Sequence, residues 1–453
     1  MQEKGSLTRR EFLGKTTLLA SAAYAAAGAK KVRAQLNNAA VPPPARLGVG
    51  FIGVGVRGTE LLEASRKIYG IDIVAACDLY KGHLTRALEL TESKLATTGK
   101  YEELLARQDI DAVVAAVPDH QHKRILLDSL QAGKHVYIEK PLTHKLEEGE
   151  EMVRAVEKSK KVVQVGSQTL SDGCVGKAAD LIRSGKLGTI TMVEGQMLRY
   201  SSLSACYYPI PPDASPETVD WKRFIGDAPW REFDPKRFFQ WRLFWDYSGG
   251  LTTDLFVHMI SATHYMMGVQ EPESAFGFSD IYYWKNYREV PDQICAMVTY
   301  PQGFVLKLTT TVNNGHPVPM LTFYGTEGTL EYNGDWMKYY YEPRREKFSY
   351  ATHSWATETV KLYKDIMGLN DDQSPLTNPP PRAAEPMEFR ARGGDDSDTA
   401  HLRNFYDGIR TGSTVIENIR FGANAVRVAH MINISCKSGK AVRWNAKTGK
   451  VEV

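Results

Sequence analysis

Residues 47–58 read LGVGFIGVGVRG. The first six form a short, mostly apolar run without charge, the pattern of a strand buried on both faces. Gly53-Val54-Gly55-Val56-Arg57-Gly58 follows without a gap. TELLEASRKIYG, residues 59–70, then spaces Leu61, Leu62, Ser65 and Ile68 along one helix face, and IDIVAACD, residues 71–78, is a second strand ending on Asp78. A G-x-G-x-x-G loop alone is a weak signal, but between a strand and a helix it marks a dinucleotide-binding βαβ unit. Gly53 then permits the tight turn, Gly55 lets a pyrophosphate approach the backbone, and Gly58 lets the helix pack on the strand. Val54, Val56 and Arg57 complete the loop, with the helix N-terminus facing the phosphates. A carboxylate at Asp78 suits ribose hydroxyls and repels a 2′-phosphate, which favours NAD over NADP, although Lys81 nearby pulls the other way.

The alternation continues. DIDAVVAAVPDHQH is a strand ending in Pro118 and His122, KRILLDSLQAG a helix, and KHVYIEKPL a strand ending in Glu139, Lys140 and Pro141. LEEGEEMVRAVEKSK is a helix and KVVQVGSQ a strand running to Gln168. Strands alternating with helices mean a doubly wound parallel sheet, whose ligands sit beyond the carboxyl ends of the strands. Pro118, His122, Glu139, Lys140 and Gln168 all fall at such ends and are candidate cofactor contacts. Past Gln168, the segments GTITMVEGQMLRY, ESAFGFSDIYYW, QICAMVTY, FVLKLTTTV, MLTFYG and GTLEYN read as strands joined by turns. Residues 340–400 carry no motif, and SPLTNPPPRAAEP within them is a loop. DTAHLRNFYDGIRTG and NIRFGANAVRVAHMINISCKSG read as helices that pack back on the body.

In the other direction lies TRREFLGKTTLLASAAYAAAGA, residues 8–29. Arg9-Arg10 before a weakly apolar run from Thr16 to Ala27, followed by Lys30, Lys31 and Arg33, resembles a twin-arginine export signal. Cleavage is expected before Gln35, with cleavage after Ala29 the other option. A disordered tail or an uncut anchor is the plainer reading of the same residues. The expected organisation is a signal peptide over residues 1–34, a Pro-rich linker over 35–45, a nucleotide domain over 46–167 and a second domain over 168–453. The expected destination is the periplasm.

Composition narrows the class. Net charge is +3 over 453 residues with no basic stripe, too little to suggest a nucleic-acid partner, and none is expected. Beyond the N-terminus no apolar run is long enough to span a membrane stably. The five cysteines, Cys77, Cys174, Cys206, Cys295 and Cys436, show no C-x-x-C or C-x-x-H spacing, so no zinc site is expected, and an odd, scattered set is not a disulfide framework. A chain that folds in the reducing cytoplasm before twin-arginine export has no need of one.

AGKHVYIEKP, with VPDHQH and the glycine loop before it, resembles the Gfo/Idh/MocA oxidoreductases, the family of glucose–fructose oxidoreductase and inositol dehydrogenase. The resemblance runs from about residue 46 to 335. It implies a Rossmann domain followed by an α+β domain with an open, mainly antiparallel sheet. The face of that sheet closes over the nicotinamide and often mediates homo-oligomers.

Oxidising a secondary alcohol requires a base for the hydroxyl proton and an acceptor for the hydride. Lys140 is the first candidate base: it ends a buried strand, where burial and a cationic nicotinamide would disfavour an ammonium. The plainer reading is a lysine paired with Glu139 or a phosphate. Asp254 and His258 are four residues apart and share a helix face. The resemblance to the family's G-G-x-x-x-D-x-x-x-H segment implies that Asp254 binds substrate hydroxyls or orients the site and that His258 is an acid/base beside Lys140. A solvated i,i+4 pair is the bland alternative. Many relatives carry a second aspartate three residues after that histidine; here the position is Ser261. His264 is expected to be structural.

Residues 221–247 are dense in aromatics: Trp221, Trp230, Phe238, Phe239, Trp241, Trp245 and Tyr247. They suit a sugar ring or a core equally. Trp241, Tyr247 and Arg242 are the candidate substrate contacts, and Arg237 with Arg242 hints at a polyol or an acidic sugar.

Together these features point to an exported NAD-dependent oxidoreductase acting on a carbohydrate, loaded with cofactor before the twin-arginine machinery moves it. The periplasm maintains no NAD pool, so the cofactor would stay bound and be restored in each cycle. Glucose–fructose oxidoreductase, an exported family member, is the pattern. A redox-neutral glycosidase using transient oxidation and elimination ranks second, because the motif context of the best-known glycosidase branch is not seen. A non-catalytic sugar-binding module and a cytoplasmic dehydrogenase complete the alternatives.

Overall fold

The computed structural model describes residues 45–342, 348–371, 373 and 386–453. The expected export signal, nearly all of the Pro-rich linker and most of SPLTNPPPRAAEP lie outside the described residues. Six parallel strands form the first sheet: β1 (Leu47–Ile52), β2 (Ile71–Cys77), β3 (Ala96–Thr98), β4 (Ala112–Ala115), β5 (His135–Glu139) and β6 (Val163–Gly166). Their order is β3-β2-β1-β4-β5-β6. The chain therefore reverses direction between β1 and β4, and the crevice beyond their carboxyl ends is where such sheets bind ligands. The short edge strand β3 had no legible signal, since its three residues are half exposed or more.

The second sheet takes β7 (Ile190–Leu198), β8 (Ser274–Asp280), β9 (Gln293–Tyr300), β10 (Phe304–Thr311), β11 (Leu321–Gly325) and β12 (Gly328–Asn333). It is extended by β13 (Trp336–Tyr341), β14 (Met387–Arg390), β15 (Val442–Asn445) and β16 (Lys450–Glu452). The order is β14-β13-β12-β11-β7-β10-β9-β8-β15-β16, antiparallel except for β7 against β10. Along β9 the side chains alternate: Ile294, Ala296 and Val298 are buried, while Cys295 and Met297 are exposed. The period of two places one face on the core and leaves the other open. Helices Val257–Met267 and Ile419–Ser438 share the core on the covered face.

The nucleotide layer is not built from one contiguous stretch. Helix Ser397–Thr411, capped by the Asp396 carboxylate accepting from Thr399 N at 2.8 Å, returns to it. Its Leu402, Phe405 and Tyr406 join Val49, Phe51, Leu61 and Leu62 in one buried cluster. Ser65 Oγ and Tyr406 Oη are 2.9 Å apart inside that contact.

Candidate active site

The glycine loop is sterically constrained at Gly53 and Gly58. Gly53 has φ +85°, and a Cβ there would stand 2.3 Å from the Ala116 carbonyl oxygen. A Cβ on Gly58 would stand 2.0 Å from Gly53 O, so this glycine seats the helix on the turn and does not line the cleft. Gly55 and Val56 do line it, at the start of helix Val56–Arg66, which carries no side-chain cap. Uncapped N–H groups at a helix start are a ready anion site. Val54 is buried, and its N–H donates to Asp78 Oδ2 at 2.8 Å. Asp78 Oδ1 accepts from Tyr80 N at 2.9 Å and stands 3.1 Å from His83 Nδ1. A carboxylate has about four acceptor sites, so one remains for a hydroxyl in the cleft. Burial would lower the His83 pKa, but Asp78 outweighs it and raises it. His83 escaped the sequence reading because nothing in its spacing singles it out.

Three sequence candidates take other places. Arg57 is not free for a phosphate. Its Nε donates to Glu139 Oε1 at 2.9 Å, and its two terminal nitrogens donate to Asp398 at 2.8 and 2.7 Å. His122 is buried outside the cleft with both ring nitrogens on main-chain carbonyls, Nδ1 to Pro141 at 2.8 Å and Nε2 to Val117 at 2.9 Å. It fixes the chain beside Lys140, and neither ring nitrogen is left for a ligand. Tyr247 is wholly buried among His120, Phe224 and Phe244. Most of the aromatic stretch is this core, including Trp221 and Phe238, while Trp230 lies exposed. Trp241 does line the cleft, with Arg242 stacked 4.2 Å above its ring. Arg237 is tied to Asp246 and Glu289.

One cleft of about 460 Å³ gathers the rest: Gly53, Gly55, Val56, Asp78, Pro118, Glu139 and Gln168 with Lys140, Trp241, Arg242, Asp254 and His258. Lys140 follows β5, and its Nζ donates to Asp254 Oδ1 at 2.8 Å and to Asp254 O at 2.9 Å. It is thus an ion-paired amine, not a lone buried one. Arg242 Nε reaches the same Oδ1 at 3.4 Å. Burial would raise the Asp254 pKa, but Lys140 and Arg242 outweigh it and hold the carboxyl well below its usual range. His258 is driven well below the ordinary imidazole value, by burial first and then by the Lys140 charge. Its Nδ1 is buried without a partner, as is Gln168 Oε1. Unpartnered polar atoms in a cleft are places for ligand hydrogen bonds.

Asp254 lies in a π-helical turn, Thr252–Phe256, that leads into helix Val257–Met267. Such turns often occur at functional sites. Three hydrogen bonds hold it: Gly249 N to Asp119 Oδ2 at 3.0 Å, Thr252 Oγ1 to Asn433 Oδ1 at 2.6 Å, and Asn433 Nδ2 to Gly249 O at 2.8 Å. His264 is structural, 2.8 Å from the Tyr300 hydroxyl.

Ser261 faces away from the cleft. Its hydroxyl donates to Glu417 Oε1 at 3.1 Å, inside the core. Burial pushes the Glu417 carboxyl up to about 8, Glu139 adds to the rise, and hydrogen bonds from Ser167 and Ser261 oppose it. The folded chain therefore keeps a proton there that the unfolded chain releases near 4.5, and stability falls as pH rises from about 4.5 to about 8. Glu417→Gln should be the more stable protein at the alkaline end, by on the order of 3 kcal/mol, and should converge on the parent in acid. Parallel denaturation curves of both proteins across that range check this; a constant offset would refute it.

Two models of one oxidoreductase family match the chain: an NAD-binding Rossmann fold over residues 47–167 and a C-terminal alpha/beta domain over residues 219–444. The inositol 2-dehydrogenase of Salmonella typhimurium is 26% identical over 159 residues, which are 35% of this chain and 47% of that protein. The match thus spans about half the length of that relative. A glycosyl hydrolase family 109 protein of Shewanella sp. strain MR-4 is 35% identical over 121 residues, 25% of this chain and 26% of its own. Among solved structures, levoglucosan dehydrogenase in complex with NADH and levoglucosan is similar with a TM-score of 0.63 at 19% identity, over 88% of this chain and 99% of that one. The positive-φ glycine turn, the uncapped helix start and the unpartnered Gln168 amide oxygen fit NAD. With the Rossmann sheet, the open antiparallel sheet and both family models in agreement, the chain belongs to the Gfo/Idh/MocA oxidoreductase family.

Proposed function

We propose that the chain is an exported NAD-dependent oxidoreductase acting on a secondary hydroxyl of a sugar, polyol or glycoside. The observation that carries this is the single cleft in which the glycine loop, Asp78 and Gln168 meet Lys140, Asp254 and His258. NAD, when bound, supplies the acceptor for the hydride of the carbinol carbon. Two of the three Lys140 donors are engaged by Asp254, which leaves the third for the substrate oxygen. His258, neutral at physiological pH, takes the hydroxyl proton as the carbonyl forms. Asp254 stays ionised and fixes both Lys140 and Arg242. The twin-arginine-like N-terminus supports a periplasmic enzyme that retains its cofactor and restores it in each turnover. The open sheet face, with Phe278 and Met297 exposed, supports a homo-oligomer.

A second reading is favoured by the glycosyl hydrolase relative, which is more identical over its span than the inositol dehydrogenase. In that reading oxidation is transient, the glycosidic bond is eliminated, and the hydride returns. One experiment tests both. The mature protein is purified without added nucleotide, denatured, and its released small molecules identified by mass spectrometry. One NAD or NADH per chain is expected. The loaded protein is then offered sugars and glycosides: net oxidised product supports the first reading, and released aglycone without net oxidation supports the second. Protein free of nucleotide, with weak affinity for added NAD, would overturn the retained-cofactor reading.

A further inference from the structure

The charges at the substrate end of the cleft do not balance. Lys140 and Arg242 converge on one carboxylate, Asp254. A third cation, Arg199, lines the same cleft just past β7. Its main chain is pinned there, with Arg199 N donating to Thr311 O at 2.9 Å and Tyr200 bridging to Asn313. Its guanidinium has no carboxylate within ion-pair reach among the described residues; Nη2 has only the Met197 sulfur at 3.5 Å. The other arginines lining the cleft are all engaged: Arg57 by Glu139 and Asp398, Arg124 by Glu102 and Asp128, Arg223 by Glu102. The positive charge of Arg199 is felt at His258 and at Tyr208, which also lines the cleft. The substrate end thus holds three cations, Lys140 and Arg242 paired to Asp254 and Arg199 exposed on the cleft lining, against that one anion.

Neutral hydroxyls give such an excess nothing to pair with, whereas an anionic group on the substrate would meet a planar donor fork that no described carboxylate occupies. We infer that the substrate is an anionic carbohydrate, bearing a carboxylate or a phosphate that Arg199 receives while Lys140 and Asp254 hold the reacting hydroxyl. The inference rests on the oxidoreductase reading above and adds the substrate class to it. It also moves the acidic-sugar signal from Arg237, which carboxylates occupy, to Arg199.

The test uses the full mature protein with its retained nucleotide. Hexoses, the uronic acids of the same configuration and the corresponding hexose phosphates are compared in calorimetric binding and in turnover. One anionic class should bind at least about 10-fold tighter than its neutral counterpart, and the class that does so identifies the anion. Arg199→Gln should bring the anionic-to-neutral ratio down by about 10- to 100-fold, towards one, and Arg199→Lys should restore part of it. Retention of the nucleotide by each variant confirms a folded site. Equal binding of neutral and anionic sugars by the parent, or a preference that survives in Arg199→Gln, overturns the inference. If nothing is turned over yet the Arg199-dependent binding preference is present, the oxidoreductase reading fails and the anion site stands.

Discussion

Lys140→Met should lower kcat for any carbohydrate substrate by about 10³-fold while the protein still carries its nucleotide. The amine donates twice to Asp254 and, in the proposed site, keeps its third N–H for the reacting oxygen. Without it, Asp254 keeps only the longer contact from Arg242 at 3.4 Å. The same substitution has a signature that simple misfolding would not produce. Burial is the largest influence lowering the His258 pKa, and the Lys140 charge is the next. Removing that charge should raise the His258 pKa, visible as a shift in the imidazole titration followed by nuclear magnetic resonance. Turnover within a few-fold of the parent, or an unmoved His258 titration, would remove Lys140 from the centre of the site.

Arg57→Met should destabilise the fold by about 3 kcal/mol, with little of the effect specific to cofactor affinity. Methionine keeps the stem and deletes the guanidinium. That leaves Glu139, whose side chain is 6% exposed, facing Asp398 without a cation between them. Breaking a buried pair by removing one partner strands the other charge in a medium that cannot solvate it. Because Asp398 sits in helix Ser397–Thr411, the loss should appear first as faster amide exchange in that helix. If Arg57 instead served the phosphates, the variant would keep its stability and lose NAD affinity; equilibrium unfolding beside a nucleotide titration separates the two.

The nucleotide loop could be read directly because its whole logic is local. Gly53 needs a positive φ, and Gly58 must lie against the Gly53 carbonyl; both constraints act within six residues. The strands of the first sheet other than the edge strand β3 were legible for a related reason: they are short, mostly apolar runs. Lys140 and the Asp254–His258 pair stood out as motifs, each with its own local signature. The late strands were not legible, since β14, β15 and β16 are short and largely half exposed or exposed.

Roles that depend on a distant partner could not be read from spacing. Arg57 read as part of the cofactor loop until Asp398, 341 positions away, arrived beside it. His122 looked like a ligand at a strand end until the Val117 and Pro141 carbonyls were seen to take both its nitrogens. Tyr247 suited a sugar ring or a core equally, and Phe224 and Phe244 packed against it make it core. Arg199 carried no motif at all, and its interest lies in having no carboxylate beside it among the described residues. Turn geometry and apolar period are properties of neighbouring residues, so the chain alone is enough to give the Rossmann loop, the alternating sheets and the position of Lys140. Charge balance and burial are sums over groups that meet in space, and so which arginine is occupied and which is free to bind a ligand is settled by folding.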